Sequence, residues 1–146
     1  MYKTHQLSTT RFYRIYKSAS ERCNNVSNKD YSRYGNRGIK IGWATFEMFR
    51  DEMFESYKKH IEKYGEGNTT LDRINNNKGY SKENCRWATK KQQANNRRSN
   101  RFITYNGETK TVSEWADIIG VSRHTVKTRI FRGWSIEKIL TPYLLK

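Results

Sequence analysis

The chain has 146 residues, and its 29 Lys and Arg against 14 Asp and Glu give a formal net charge of +15. The length fits one domain or two small ones, and so large a positive excess favours a polyanionic partner, above all nucleic acid, whose phosphates attract basic side chains. No apolar stretch approaches the length of a membrane span, so we expect a cytoplasmic protein with no membrane partner.

Two helices are predicted in the first half of the chain. Ser8 or Thr9 can cap a helix that runs to about Cys23, and Thr45 can cap a longer helix that runs to about Tyr64. In both segments the apolar residues recur at the spacing of one helical face. They are Phe12, Ile15, Tyr16, Ala19 and Cys23 in the first helix, and Phe46, Phe49, Met53, Tyr57 and Ile61 in the second.

Shorter elements are predicted between and after these helices. Residues 24–38 are rich in Asn, Ser and Gly and predict a loop, whereas residues 39–43 (IKIGW) predict a short strand or an extended entry to the next helix. The most informative segment is residues 71–98, LDRINNNKGYSKENCRWATKKQQANNRR. It predicts a strand, a polar loop, a second strand (CRWAT) and a basic polar helix, in that order.

The first strand of this segment contains a carboxylate, Asp72, between apolar neighbours. A carboxylate in such surroundings needs a partner, since burying an unpaired charge is costly. Arg73, Arg86 or a divalent cation can be that partner, and the residues alone do not choose among them.

Only two cysteines are present, Cys23 and Cys85, and they lie far apart in the sequence. A structural zinc site takes four ligands, usually as two close pairs, so no zinc site is expected. In a reducing compartment both cysteines are expected to be small buried apolar residues rather than a disulfide.

A boundary is predicted near residues 99–101, which divides the chain into residues 1–98 and 99–146. Both parts carry a net positive charge. The second part begins with two short strands, FITYN and TKTV, joined at Gly107. The rest of it is helical in pattern.

The helical part has the spacing of a helix-turn-helix. Ala116, Gly120 and Val126 lie four and then six residues apart, which provides a small residue where two helices touch, a turn, and an apolar anchor. Ser122 can cap the second helix. The apolar residues of the shared core are Trp115, Ile119, Val121 and Ile130.

A third helix is predicted after the second one ends. Gly133 can end the second helix, Ser135 can cap the third, and Pro142 stops it. The residues of the second helix expected to face outward are Arg123, His124, Thr125, Lys127, Thr128 and Arg129. A generic three-helix unit with a solvated basic face is the plain alternative, but spacing, caps and outward basic residues together favour DNA binding.

Several short motifs carry a resemblance to a known family. Residues 34–39 (YGNRGI), 71–74 (LDRI) and 84–89 (NCRWAT) resemble, in that order, a group of small phage and bacterial HNH-like proteins. The other matching positions are Thr4, His5, Arg22, Cys23, Trp43, Phe46, Phe49, Gly79, Tyr80, Gln93 and Asn96. Residues 71–98 also resemble the ββα-metal core of the HNH endonuclease superfamily, and the C-terminal part resembles the helix-turn-helix modules appended to phage HNH homing enzymes. The resemblance implies an α+β protein with a ββα-metal domain followed by a small helix-turn-helix domain.

What the resemblance implies chemically is metal-dependent cleavage of a DNA phosphodiester, with Mg²⁺ or Mn²⁺ as cofactor. Asp72 stands at the position of a metal ligand, and Asn84 at that of the asparagine that braces the loop between the strands. Gln93 falls near the second metal ligand, with Asn96 as its substitute. Where the family has the histidine that deprotonates water, this chain has Arg73, which stays charged at neutral pH.

Three histidines could supply the missing base. His5 lies in the N-terminal arm at a position that the nearer family group also carries. The hypothesis is that His5 is the relocated base and Arg73 clamps the phosphate; a merely solvated His5 is the plain alternative. His60 lies beside an apolar stripe and is expected to pack or to face solvent. His124 is expected to contact a phosphate or a base.

Arg37 is a further candidate for phosphate contact. It is flanked by Gly35 and Gly38, which permit close approach of the backbone to a ligand. A turn in which Arg37 stacks on Tyr34 or Trp43 is an equally good interpretation.

From the second predicted strand of the motif to Gly107 the sequence contains no acidic residue. This basic stretch is expected to follow the DNA backbone, although it can also be a solvated helix face. Its candidate phosphate contacts are Arg86, Lys90, Lys91, Arg97, Arg98 and Arg101.

These observations predict a phage-type, sequence-specific endonuclease of double-stranded DNA, of the homing kind, in which the helix-turn-helix chooses the site. The alternative is a catalytically inactive DNA-binding regulator on an HNH-like scaffold, and Arg73 is the residue that suggests it. RNA binding by the aromatic-rich first part ranks last, because the helical spacing of the aromatic residues indicates a core.

Overall fold

The computed structural model describes residues 6–142, which divide into two compact units between residues 94 and 95. Each unit has a hydrophobic core of its own. Helices and two antiparallel hairpins make up the described chain, so the predicted α+β class is confirmed. Among the helices of residues 6–142, none combines the length and the apolar character that a membrane crossing requires.

The first unit contains two long helices, α1 (Arg11–Asn24) and α2 (Phe46–Tyr64). The hydroxyl of Thr45 accepts a hydrogen bond from the third backbone N–H of α2, which confirms the predicted cap. The cap of α1 is Thr10, so this helix starts slightly later than predicted.

The segment between these helices contains two 3₁₀ turns, Tyr31–Arg33 and Gly35–Arg37. Residues 39–43 pair only through one parallel bridge, between Ile41 and Tyr80, so of the two expectations for this segment the short strand is wrong. Two backbone hydrogen bonds, of 2.8 and 2.6 Å, join Tyr80 to this segment. Since the partner segment is a loop that pairs through one residue, no ladder extends from it.

A hairpin and a short helix follow α2. Strands β1 (Thr70–Arg73) and β2 (Cys85–Ala88) pair antiparallel, and α3 (Lys90–Asn95) comes directly after them. The order strand, strand, helix is the one predicted. The indole N–H of Trp87 donates to the Met53 carbonyl of α2 at 3.1 Å, which attaches the hairpin to the long helices.

Aromatic rings dominate the core of the first unit. The ring of Phe12 in α1 stacks on that of Phe49 in α2, with centroids 4.7 Å apart. Both apolar faces predicted for the helices contribute to this core. Its buried residues are Phe12, Tyr16, Ala19, Cys23, Ile39, Trp43, Phe46, Phe49, Met53, Tyr57, Leu71, Tyr80, Cys85 and Trp87.

The second unit is a hairpin followed by three helices. Strands β3 (Phe102–Tyr105) and β4 (Glu108–Thr111) pair antiparallel through the predicted turn. Helices α4 (Val112–Ile119), α5 (Arg123–Phe131) and α6 (Ile136–Ile139) follow.

Side-chain caps and one glycine determine where these helices begin and end. Thr111 and Glu114 form a reciprocal capping box at the start of α4. Gly120 ends α4 with φ +72°, a left-handed conformation that glycine adopts without strain, and Ser122 then caps α5 as predicted. Val126, which is fully buried, anchors α5 on α4. The other buried core residues are Ile103, Val112, Trp115, Ala116, Ile139 and Leu140.

Candidate functional site

Asp72 in β1 lies directly opposite Arg86 in β2. Its side chain is 5% exposed, and its Oδ2 accepts a hydrogen bond from Nε of Arg86 at 3.1 Å. Of the partners that the sequence left open, Arg86 therefore pairs with this carboxylate. The pair neutralises a buried anion and ties the two strands together.

The guanidinium of Arg73 closes the loop between β1 and β2. Its Nη1 donates to the carbonyls of Asn76 and Lys78, at 3.0 and 2.9 Å. Its Cζ also lies 4.9 and 5.1 Å from the ring centroids of Tyr34 and Tyr80. A phosphate clamp needs an accessible guanidinium, and Arg73 is only 7% exposed. The structure therefore gives Arg73 a loop-closing role in place of the predicted clamp.

Asn84 braces the same loop from its other end. Its Oδ1 accepts a hydrogen bond from the backbone of Asn75 at 2.9 Å, and its Nδ2 donates to the carbonyls of Asn75 and Gly79 at 3.1 and 2.8 Å. This is the loop-bracing contact that the resemblance implied for this position. The loop is thus held shut by two buried side chains, Arg73 and Asn84.

The residues expected to hold a metal have other partners or positions in this structure. Mg²⁺ and Mn²⁺ take several oxygen ligands, whereas the carboxylate of Asp72 already pairs with a guanidinium. The Nε2 of Gln93 donates to the Leu71 carbonyl at 3.2 Å, and the Gln93 side chain lines a cleft with three arginines that repel cations. Asn96 lies beyond the end of α3, in the second unit. Among residues 6–142 there is no group of three His, Cys, Asp or Glu placed to hold a metal ion.

Among residues 6–142, His60 and the two cysteines are poorly suited to act in a hydrolytic site. His5, the hypothetical base, lies outside the described residues. Burial lowers the pKa of His60, and its Nδ1 lies 2.7 Å from the hydroxyl of Thr69, in agreement with the expected packing role. Burial raises the pKa of the Cys85 thiol to about 11 and also raises that of Cys23, so both stay protonated at neutral pH.

The basic residues predicted to contact DNA in the first unit are mostly exposed. The guanidinium of Arg37 donates to the Arg33 carbonyl and to Oδ1 of Asn77, which attaches this exposed side chain to the loop that Arg73 closes. Lys90 and Lys91 at the start of α3 are exposed. Arg86 keeps about half of its side chain exposed despite its ion pair.

A second group of basic residues in this unit was missed by the sequence analysis. Arg11, Arg14 and Arg22 of α1 line a cleft of about 260 Å³ together with residues of β1 and α3. The sequence could have indicated this group of arginines through helical periodicity. Positions 11, 14 and 22 lie on one side of a helix, next to its apolar face.

In the second unit, α5 presents basic residues around a larger cavity of about 490 Å³. Arg123 and Lys127 line it from the exposed side of α5, and Arg101 lines it from the segment before β3. Arg97 and Arg98 are also exposed. His124 is exposed, and Thr125 and Thr128 are half-buried, so the side of α5 that faces solvent carries polar and basic groups.

Arg129 differs from the prediction that it faces outward. It is half-buried, and its Nη1 donates to the carbonyls of Ile139 and Thr141, at 2.8 and 2.6 Å. Ile139 is the last residue of α6 and Thr141 lies two residues beyond it, so the cation compensates acceptors that have no intrahelical partner. Arg129 therefore fixes α6 against α5.

Each unit thus presents a concave surface lined by basic residues. In the first unit, buried Asp72 pairs with Arg86, and buried Arg73 closes a loop. No protein-family model, curated protein or solved structure matches the chain. Any function must therefore be argued from the chemistry of the described residues.

Proposed function

We propose that the chain binds double-stranded DNA and that α4 and α5 work as a helix-turn-helix. The observation that carries this proposal is the basic cavity at the start of α5. Arg101, Arg123 and Lys127 line it, and none of the described residues around it is acidic. Phosphates of a polynucleotide are the ligands that such a surface favours.

The polar residues of α5 support contact with base edges as well as with the backbone. In helix-turn-helix proteins the N-terminal residues of the second helix lie at the major groove, and hydroxyl groups there can bind either kind of base edge. Thr125 and Thr128 of α5 carry hydroxyls, and His124 lies between Arg123 and Thr125 on the exposed first turn. We infer a sequence-specific contact by α5 from this arrangement.

The test compares two double variants of the full chain that remove the same charge. Arg123→Gln/Lys127→Gln removes the basic lining of the cavity, whereas Arg132→Gln/Lys138→Gln removes two exposed basic residues outside that lining. Binding to a short duplex is followed by fluorescence anisotropy over a range of salt concentrations. The cavity variant is expected to lower the dependence of log Kd on log salt by about 2, one for each phosphate that is no longer neutralised.

The control variant should keep nearly the full salt dependence, because it changes only the long-range attraction of a chain with net charge +15. Equal effects of both double variants would mean that DNA is held by net charge alone. That result would remove the helix-turn-helix assignment.

Cleavage of the bound DNA is a second candidate, favoured by the strand-strand-helix order around Asp72 and by the loop that Asn84 braces. A supercoiled plasmid incubated with the parent chain and with Asp72→Asn, in Mg²⁺ or Mn²⁺ and in EDTA, separates the candidates. The Asp72–Arg86 ion pair leads us to expect binding without nicking. Nicking that requires both the metal and Asp72 would instead establish an endonuclease.

A further inference from the structure

We propose that the cleft between α1, β1 and α3 in the first unit binds a phosphate of the DNA backbone. This inference rests on the proposed DNA binding and assigns to it a second contact site, apart from α5. The cleft is lined by Arg11, Arg14, Ser18 and Arg22 of α1, with Thr70 and Gln93 opposite them.

The arginines reach one cleft because α1 places them on one side. Successive residues of a helix are rotated by about 100°, so positions 11, 14 and 22 fall within roughly one quarter of its circumference. Ser18 lies on the same stripe. The stripe adjoins the buried side of α1, so Arg11 and Arg22 are half-buried, whereas Arg14 is exposed.

Two donors of these arginines are left without an acceptor. The Nε atoms of Arg11 and Arg22 are buried, and neither has a hydrogen-bond partner in the structure. Buried donors of folded proteins nearly always have a partner, so two unpaired donors on arginines that line one cleft favour an acceptor from outside the chain. The oxygens of a phosphate are the acceptors that guanidinium groups bind best, since planar donors match them two at a time.

Other contacts of the same side chains hold them in place. An Nη of Arg11 donates to the Thr69 carbonyl at 3.0 Å, and the Cζ of Arg22 lies 4.7 Å from the ring centroid of Tyr34. Arg14 is exposed and can turn towards a bound anion. A site with two fixed cations loses little side-chain entropy when it binds.

The charge balance of the cleft also favours an anion. None of the described residues around it is acidic. Glu21 is the one acidic residue of α1, and it pairs with Lys17 at 3.4 Å. Three positive charges without a counter-ion disfavour a metal and favour a phosphate.

The lining of the cleft favours a phosphate of the backbone over a whole nucleotide. Its apolar lining is limited to Ile15 and Leu71, so no aromatic ring is there to stack on a base.

The test uses the full chain with Arg14→Gln and the matched control Lys17→Gln on the same helix. Both substitutions remove one exposed positive charge, but only Arg14 lines the cleft. Anisotropy titrations with a short duplex are expected to show several-fold weaker binding for Arg14→Gln, with a salt slope lower by about 1, and a much smaller change for Lys17→Gln. In parallel, the Nε–H NMR signals of Arg11 and Arg22 are expected to shift when the duplex is added.

Inorganic phosphate added without DNA separates the possible sources of the ligand. If phosphate shifts these Nε–H signals and the duplex does not, the cleft binds free phosphate and the assignment to the DNA backbone is overturned. If neither ligand shifts them and both variants bind DNA equally, the cleft is no anion site. Should the parent chain fail to bind DNA at all, the proposed function fails, while the phosphate titration still reports on the cleft itself.

Discussion

The guanidinium of Arg73 contacts two backbone carbonyls and two tyrosine rings at once. A planar group with five donors can make such contacts together, whereas an ammonium group is a point charge that cannot. The closure of the loop therefore explains why arginine occupies this position. The nearby ion pair between Asp72 and Arg86 has the same character, since its buried carboxylate connects two strands.

Replacing Arg73 by Lys should destabilise the first unit by about 2–3 kcal/mol. The destabilisation follows because the shorter cation leaves the Asn76 or the Lys78 carbonyl without its donor and no longer stacks flat on the tyrosine rings. The measurement is denaturant unfolding followed by the indole N–H signals of Trp43 and Trp87, both in the first unit.

The matched control is Arg37→Lys, an exposed arginine that also donates to the Asn76 carbonyl, at 3.5 Å. A change of less than about 0.5 kcal/mol is expected there, because water can take the place of the guanidinium as donor. Similar effects of the two substitutions would show that the burial of Arg73 is unimportant.

At the scale of elements, the connection between α2 and β1 contains a titratable group. The Thr69 hydroxyl donates to the Gly65 carbonyl at 2.8 Å, so it accepts from Nδ1–H of His60 at 2.7 Å. The Nε2 of His60 is buried and has no partner. Protonation would place a charged donor there without an acceptor, and burial accordingly lowers the pKa of His60, with a smaller contribution from Lys63.

The first unit should therefore lose stability as the pH falls below about 6.5, the value of an unfolded histidine. Just below pH 6.5 His60 binds a proton in the unfolded chain but stays neutral in the folded chain, which favours unfolding. Once the pH is below the pKa of His60 in the folded chain, both states are protonated and stability falls no further. Thermal unfolding at about pH 7 and pH 5.5 measures it. His60→Gln should remove most of the drop, whereas His124→Gln, exposed in the other unit, should not. An unchanged drop in His60→Gln would assign it to other groups.

The elements that the sequence predicted well are those with a local signal. Thr45, Ser122 and Ser135 each cap a helix where the sequence expected one, since a capping hydroxyl acts within three residues. The segment at residues 39–43 has the composition of a strand, but the chain offers it only one pairing residue, Tyr80, and the sequence does not show that.

The candidate site was harder to predict because its contacts are long-range. Arg129 faces α6 because two carbonyls at the end of that helix need donors, and nothing near residue 129 in the sequence indicates this. Asp72 pairs with Arg86 because the strand register places them opposite each other. The cleft lined by Arg11 and Arg22 exists only because α1 packs beside β1. Asn84 could be placed from its motif, because its bonds stay within one loop.

At the scale of the whole molecule, the chain forms two separate cores, and a basic segment follows the first of them in sequence. Each unit buries its own aromatic and aliphatic residues, and the division between them falls near the end of α3. Arg97 and Arg98 follow that helix in exposed, non-helical backbone. Many of the other described Lys and Arg residues are in helices or strands, which a protease accommodates poorly.

Limited digestion with trypsin should therefore cut first after Arg97 or Arg98 and leave two fragments that resist further cleavage. Resistance is expected because each fragment keeps its own core, and mass spectrometry over the time course identifies the sites. The variant Arg97→Gln/Arg98→Gln should delay the first cut without changing the later ones. Early cuts within α1 or α5 would mean that these helices open as readily as the connection, and that the two cores are not stable independently.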